Sequence, residues 1–495
     1  MRISSEIWIK AGIVLIILFS FYTYSENFFP LLNSDMAVNI LMTPSFSLPH
    51  DIYFWGQDRS GNLIPLLSHY FYLMSGIKPV VIVSLVHYFI LAAGFWALTR
   101  FVKTGYGRIV LALLWFLPPL HFREYLLILY GVQVSLVVIA LNFLDRSFKT
   151  KLQWKYLLWL SASCLMFIIG VWVSDMVLVS ILALLVTGVL YFLSARKDPL
   201  RSLSWRGAMV PSFCVLLWAV AGFLVLHYSK SVSTIVQTYD QGLLANTSSI
   251  FMNIRIVIES VVKVFLFSSE SGIESVFAWG LLALMIFLFL PVNRKSGTLQ
   301  KITENPWFYF FLAEALFTLA SVLSSRWVAA NGAGRRYFTT FFMSACICFV
   351  LWLENLPKNR LQLPLKSAFL ILVITASLSG CFRFYYPEIK PSRIRVISAL
   401  KYMGNIGIIA EYWNAYMTAS PDPLHIKVTA HDKDYVRNPD LVNEVFGQPK
   451  IYLIKDGWLE SFPDTIVQFG RTLKKQGRSF HLADAWLNRY TVVRK

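Results

Sequence analysis

Charge is what this chain most lacks: only 15% of its 495 residues are Asp, Glu, Lys or Arg, against about 25% in soluble domains. Cysteine is also scarce. Cys164, Cys214, Cys346, Cys348 and Cys381 are odd in number and scattered, so no disulfide framework is implied. Cys346 and Cys348 lie two apart on a predicted helix and point to different sides, which is poor metal-ligand geometry. There is no internal repeat and no low-complexity tract. Gly404 and Gly407 do not complete a dinucleotide-binding fingerprint, so no nucleotide site is inferred. These absences exclude a disordered chain and a disulfide scaffold, and they argue against an ordinary soluble enzyme.

What the chain has in abundance is apolar length. Hydrophobic residues make up 56% and aromatics 16%, and a bilayer span consumes roughly 20 apolar residues. Eleven spans are predicted, at about 11–21, 79–98, 109–120, 125–144, 156–173, 176–193, 208–227, 276–291, 307–323, 337–353 and 367–380. The first, preceded by Arg2 and Lys10, lacks a small-residue cleavage site and reads as an uncleaved helix. Residues 63–77, interrupted by Ser68 and His69, are short for a span and read as a helix along the outer surface.

The net charge of +18 would suggest nucleic acid in a soluble chain. In a membrane protein it follows from the gathering of Lys and Arg in cytoplasmic loops, so no nucleic-acid partner is expected. With the amino end inside, the inner segments hold 19 Lys and Arg and the outer loops 9, in more residues. That bias places residues 381–495 outside. The expected organisation is a transmembrane domain over 1–380, with large outer loops at 25–78 and 228–275, followed by an extracytoplasmic domain over 381–495.

In that last region long apolar runs give way to short alternating segments. Helical spacing is read over 392–403, 439–446 and 463–476, the last from Ile466, Phe469 and Leu473, and strands over 406–410, 424–430 and 450–454. The fold class is thus a polytopic α-helical membrane protein with a small C-terminal α/β domain whose sheet is mainly parallel.

Polar groups that could carry chemistry gather on the outer side. Asp35, in Asn33-Ser34-Asp35-Met36, stands just past the first span. An acid there can be merely solvated; the alternative is a general base that takes a proton from an acceptor hydroxyl. The stretch 53–62 combines aromatic interface anchors with Asp58, Arg59 and Asn62, either site residues or loop scaffold. The short second outer loop brings His121, Arg123 and Glu124, a surface ion pair or one wall of a site. Arg326, Arg335 and Arg336 lie in an outer loop without an acid, against the inside bias. Their guanidinium groups suit phosphate oxygens, and lipid headgroups are the blander partner.

Residues 251–265 present Ile254, Ile258, Val261 and Phe265 on one side and Arg255, Glu259 and Lys263 on the other. This reads as a membrane-surface helix or a lid over a lipid substrate. His87, within a span, reads as a hydrogen-bonded interior histidine. His431-Asp432-Lys433-Asp434 reads as a solvated turn, since it lacks ligand spacing. Asn246-Thr247-Ser248 is a glycosylation sequon only in a eukaryotic cell.

The order of these features resembles the GT-C superfamily of integral-membrane glycosyltransferases, in particular the branch of protein O-mannosyltransferases and lipid A aminoarabinose transferases. Ser34-Asp35-Met36 occupies the place of the family's acid after the first span, although the frequent Asp-Glu is Asp-Met here and a second carboxylate would have to come from elsewhere, with Asp58 as candidate. Ile64-Pro65-Leu66-Leu67 is similar to the opening of the outer helix, and Arg336-Tyr337-Phe338 to the Arg-Tyr at the outer start of a late span. Glu411-Tyr412-Trp413-Asn414-Ala415-Tyr416 is similar to a segment of the bacterial carboxyl-terminal domain.

The resemblance implies transfer of a sugar from a polyprenyl-phosphate donor to a lipid, glycan or protein acceptor at the outer face of a bacterial inner membrane. Asp35 would serve as base, Arg326, Arg335 and Arg336 would hold the donor phosphate, and Arg59, Asn62, Arg123, Glu124 and Tyr337 would line the substrates. No cofactor is required, a divalent metal being an option without identifiable ligands. Direct displacement would invert the anomeric centre, since retention needs a carboxylate nucleophile that the sequence does not identify. A transporter or flippase of lipid-linked saccharides is the competing class, and it would be expected to show repeated halves or charges along a central path. A non-catalytic assembly subunit is the third.

Overall fold

The computed structural model describes residues 5–119, 122, 126–194, 205–233, 244–268, 272–289, 305–354 and 362–493. Arg123 and Glu124, with His121, lie outside them. Among the described residues eight helices are long and apolar enough to cross a membrane: Glu6–Tyr24, Pro79–Phe101, Leu129–Lys149, Gln153–Val173, Met209–Ser231, Pro306–Leu323, Arg335–Glu354 and Leu363–Phe382. Three shorter apolar helices, Gly105–Phe116, Val177–Leu190 and Gly272–Ile286, stand where the other predicted spans fall. The chain is an integral membrane protein. Packing divides it into two compact units.

The first unit comprises Met1–Ser20, Ile90–Phe223 and Tyr239–Pro387. Between apolar helices in lipid, close packing and internal hydrogen bonds replace the hydrophobic drive, and both occur here. A Cβ added at Gly94 would meet the Ser135 backbone at 2.7 Å, so only glycine allows that approach. The Trp115 indole donates to the Leu91 carbonyl (3.0 Å) and the Asn142 amide to the Ala97 carbonyl (3.1 Å). Glu314, buried within its helix, accepts hydroxyls from Ser180 (2.5 Å) and Ser344 (2.7 Å), tying three helices together. The amphipathic segment forms the helix Thr247–Phe265, with Arg255 and Glu259 paired at 2.7 Å on its exposed side.

The second unit comprises Phe21–Phe89, Leu224–Thr238 and Glu388–Lys495. After the first span the chain turns at Glu26, whose carboxylate meets His87 Nδ1 at 2.7 Å, both side chains 1% exposed. His87 is therefore the hydrogen-bonded interior histidine its position suggests, with a carboxylate partner 61 residues away. Asn33 then caps the helix Ser34–Ser45 by accepting the Met36 N–H at 3.1 Å. The loop that follows is tied to itself. Asp51 accepts the Trp55 indole (2.9 Å) and the Ser47 N–H (2.8 Å), and the buried Asn62 amide donates to the carbonyls of Asp51 (2.8 Å) and Tyr53 (2.5 Å). The helix Leu63–Ser75 begins directly after it.

The carboxyl-terminal residues build a six-stranded sheet in the order β2-β1-β3-β6-β5-β4. β1 (Ile406–Ala410), β2 (Ile426–Ala430) and β3 (Ile451–Lys455) are parallel. The helices Tyr412–Ala419 and Pro439–Phe446 make the crossovers. β3, β6 (Ala485–Val492), β5 (Arg471–Leu482) and β4 (Thr465–Gln468) are antiparallel neighbours. The small α/β domain is present, but the expectation of a mainly parallel sheet is corrected, as is the helix expected over 463–476. That segment is the β4–β5 hairpin. Ile466, Phe469 and Leu473 mimic helical spacing, yet Phe469 (φ 51°) and Gly470 (φ 70°) form a turn with both residues at positive φ, which joins antiparallel strands. β-branched Thr465, Ile466, Val467 and Thr472 favour the strands on either side.

Candidate active site

The site grows from the carboxyl end of β1. Glu411 follows the strand and the helix Tyr412–Ala419 begins at once, leaving its first N–H groups without partners inside the helix. Loops after the two neighbouring strands supply acceptors. Asp456, after β3, accepts the Glu411 N–H at 3.1 Å, and Asp434, after β2, accepts the Tyr412 N–H at 2.7 Å. Burial raises the Asp456 carboxyl above the usual range, against the Asn414 amide that bonds it at 3.0 Å. Tyr412 is thereby anchored by its backbone, and its ring is 2% exposed.

Its hydroxyl donates to Asp35 Oδ1. In return, the Ser34 hydroxyl donates to the Tyr412 carbonyl at 2.5 Å. The amino ends of two helices far apart in sequence are thus joined by reciprocal bonds. Arg437 completes the group. Its Nε donates to the Tyr412 hydroxyl at 3.1 Å, and its Nη2 stands 3.9 Å from Asp35 Oδ1. The guanidinium lies over the rings of Tyr412 (5.0 Å) and Phe54 (5.5 Å), a cation–π setting on two faces. The Arg437 N–H donates to the Tyr416 hydroxyl at 2.7 Å.

Burial, followed by the charge of Asp35, pushes the Tyr412 phenol far up, with Arg437 opposing. Burial pushes the Tyr416 phenol up to about 12. Tyr412 therefore remains a proton donor to the carboxylate at any physiological pH. Asp35 is 23% exposed, and its Oδ2 has no hydrogen-bond partner among the described residues. The arrangement is a carboxylate fixed through one oxygen and open at the other, which is what proton acceptance from an incoming hydroxyl requires.

Asp58 and Arg59 lie half-exposed in the self-tied loop, with Arg59 Nε bonded to the Gln57 amide oxygen at 3.3 Å. Asp58 shares no hydrogen bond with Asp35. Asn62 is 3% exposed and engaged by two backbone carbonyls, so it acts in the structure as loop scaffold. The proposed phosphate-binding arginines belong to the first unit. Arg326 opens the short helix Arg326–Ala330. Arg335 pairs with Glu274 at 3.2 Å, an acid from another helix that reading the loop alone could not supply. Arg336 donates to the Tyr337 hydroxyl at 3.0 Å and lies 5.0 Å from that ring's centre.

The sequence reading did not single out Arg437, and it took Phe54 only as one of the aromatic interface anchors rather than as a ring beneath this guanidinium. Tyr412 was visible only as part of the Tyr-Trp-x-Ala-Tyr segment. The 431–434 turn is structural. Asp432 accepts the Phe469 N–H at 3.2 Å, Asp434 holds Tyr412, and the His431 ring stacks on Trp458 at 4.6 Å. Among the described residues no three His, Cys, Asp or Glu side chains gather as a metal would require.

Comparison with known proteins bears on the fold. No protein-family model matches the sequence, and no curated protein matches it significantly. Among solved structures, ArnT from Cupriavidus metallidurans bound to undecaprenyl phosphate aligns with a TM-score of 0.53 at 11% identity, covering 98% of each chain. The oligosaccharyltransferase AglB from Archaeoglobus fulgidus, in complex with an inhibitory peptide and a dolichol-phosphate, aligns at 0.40 with 10% identity, over 90% of this chain and 69% of the other. The chain shares the fold of that ArnT structure, which is the kind of fold the resemblance read from the sequence implies.

Proposed function

We propose that the protein is an inverting glycosyltransferase that moves a sugar from a polyprenyl-phosphate donor to an envelope acceptor, with Asp35 as the general base. The observation that carries this reading is the state of Asp35: one oxygen held by a buried tyrosine hydroxyl that is itself bonded to Arg437, the other open. The likeness to ArnT, a protein bound to undecaprenyl phosphate in its structure, supports the donor class.

In the proposed step the acceptor hydroxyl gives its proton to Asp35 Oδ2 as its oxygen attacks the anomeric carbon. The bond to the donor's phosphate oxygen breaks, and the polyprenyl phosphate leaves with the electron pair. Tyr412 keeps Oδ1 satisfied, so that the carboxylate's orientation does not change as it takes up the proton. Phosphate is a good leaving group, and one base suffices for inversion. Arg336, supported by Arg326 and Arg335, is proposed to bind the donor phosphate, because a guanidinium offers a planar fork to its oxygens. Tyr337 would hold Arg336 in place, and Arg59 would meet the acceptor. The chemistry is proposed for the outer face of a bacterial inner membrane, with the domain over 381–495 extracytoplasmic.

The test is incubation of the purified protein with a radiolabelled panel of polyprenyl-phosphate sugars and extracted envelope acceptors. Transfer of label to an acceptor is the expected result. Movement of intact labelled lipid between the leaflets of proteoliposomes, without transfer, would replace this reading with that of a flippase.

A further inference from the structure

The carboxyl-terminal sheet contains a second feature that the chemistry of Asp35 does not use. The chain passes from β1 to β2 on one side and returns across β1 to β3 on the other. Right-handed crossovers then put their two helices on opposite faces of the sheet. Gly407 of β1 faces Val445 of the helix Pro439–Phe446, leaving the helix Tyr412–Ala419 on the other face. Between β1 and β3 the winding reverses, and the crevice outside the carboxyl ends of such strands is where open α/β sheets bind ligands.

A cavity of about 170 Å³ lies one strand further along, where the carboxyl end of β3 meets the start of β6 beneath the helix Tyr412–Ala419, and no residue of β1 lines it. Its floor is aliphatic, from Ile397, Leu400, Met417, Ile454 and Leu487. Its more exposed side, the rim, carries Arg393, Asn414, Lys455, Asp456 and Asp484, while Thr418 is buried and bonded to the Ala415 carbonyl. Arg393 Nη1 and Asp484 pair at 3.2 Å, and the Asn414 amide bonds Asp456 at 3.0 Å. Two cations and two carboxylates leave the rim electrically balanced. A neutral ligand is therefore favoured over an anion. A cavity of about 150 Å³ holds a benzene ring, so this volume suits one six-membered ring. Donors and acceptors around the edge with an aliphatic floor below match a pyranose, which offers hydroxyls around its edge and a C–H face beneath.

Asn414 sits two residues after Tyr412 on one helix, which places the two side chains about 200° apart around an axis of roughly 10 Å diameter. The cavity and the carboxylate therefore flank the same helix. We infer that this cavity binds one neutral pyranose unit of a glycan acceptor, a few units removed from the hydroxyl presented to Asp35. The inference deepens the transferase reading and rests on it for the word acceptor.

Saturation-transfer NMR on the full-length protein in detergent tests it, with methyl glycosides of glucose, mannose, galactose and N-acetylglucosamine as probes and inorganic phosphate as the contrasting one. Saturable binding of at least one glycoside is expected. It should weaken by about tenfold or more in Lys455→Gln, which replaces the charged rim donor with a shorter, neutral amide at an exposed position, and vanish in Ala485→Phe, which fills the cavity. Thermal unfolding of both variants identifies any that fail to fold, and the exposed Lys455→Gln keeps the test decisive if Ala485→Phe does not.

No saturable glycoside binding, binding of phosphate alone, or glycoside binding unchanged by Lys455→Gln in the folded protein would each overturn the site. Asp35→Asn should bind the glycoside like the parent. Transfer that persists in Asp35→Asn would defeat the catalytic reading while leaving the cavity site standing. Transfer by the parent without any glycoside binding would defeat the cavity site alone.

Discussion

Replacing Asp35 with asparagine separates a catalytic role from a structural one, because the two effects differ in size. The amide keeps an oxygen for the Tyr412 hydroxyl and preserves the shape of the helix start. What folding loses is the extra strength of a hydrogen bond to a charged acceptor, plus the attraction of Arg437 at 3.9 Å across a partly exposed site. A bond to a charged group is worth about 1 kcal/mol more than a neutral one, and a solvent-screened ion pair adds at most about 1 kcal/mol. The two rings flanking Arg437 remain. The variant should therefore lose about 1–2 kcal/mol of stability and unfold only a few degrees earlier. Its chemistry should suffer far more, since an amide cannot take the acceptor's proton. General bases contribute about 100-fold to 10,000-fold, or roughly 3–5 kcal/mol of barrier. The assay is sugar transfer at saturating donor, beside thermal unfolding of the same preparation and a donor-binding titration. Turnover within about threefold of the parent in folded protein, well short of that range, would remove Asp35 from the base role and make Asp58 the next residue to replace.

Tyr412→Phe removes only the hydroxyl that orients the carboxylate, and turnover should fall about 10-fold to 100-fold with donor affinity unchanged; unchanged turnover would show that Asp35 needs no such support. Arg336→Lys keeps charge without the planar fork and should retain partial activity, while Arg336→Ala retains much less. Donor titrations in a fixed lipid mixture decide this one, since equal affinity and turnover in both variants would return the arginine to bulk headgroups. For orientation, a thiol reagent applied to intact spheroplasts should label Asp440→Cys and leave Lys358→Cys protected; the reverse pattern would overturn the outer-face site.

How much of the fold could be read in advance follows from how each element is stabilised. Spans are held by lipid, and their length and apolar content stand in the sequence whatever their neighbours. That is why the described apolar helices fall where the hydropathy predicts them. The helix Pro439–Phe446 was legible in the same local way, with Pro at its start and Gly447 after it. The β4–β5 hairpin was not. Its apolar residues repeat at a spacing that both periods tolerate over so short a stretch, and the arbiter is a two-residue turn at Phe469-Gly470. Phe at positive φ is an unfavourable local choice, and only the pairing of Leu473 with Ile466 and Val492 on either side makes it worthwhile.

The candidate site divides along the same line. Asp35 could be suspected from its place after a span, because that inference needs only local order. Its partners could not. Arg437 stands 402 positions later, in a loop with no motif, and reaches the carboxylate only because three parallel strands bring the ends of β1 and β2 beside the helix Ser34–Ser45. Conversely Asn62, in a stretch dense with hydrogen-bonding groups, spends its amide on two carbonyls of its own loop. A tight aromatic loop without regular structure must satisfy its backbone with side chains, and in sequence that demand looks the same as a binding site. The test of a polar residue beside a membrane is therefore whether its atoms remain available once the backbone has been served. By that criterion Asp35 Oδ2 stands apart from the polar groups that surround it.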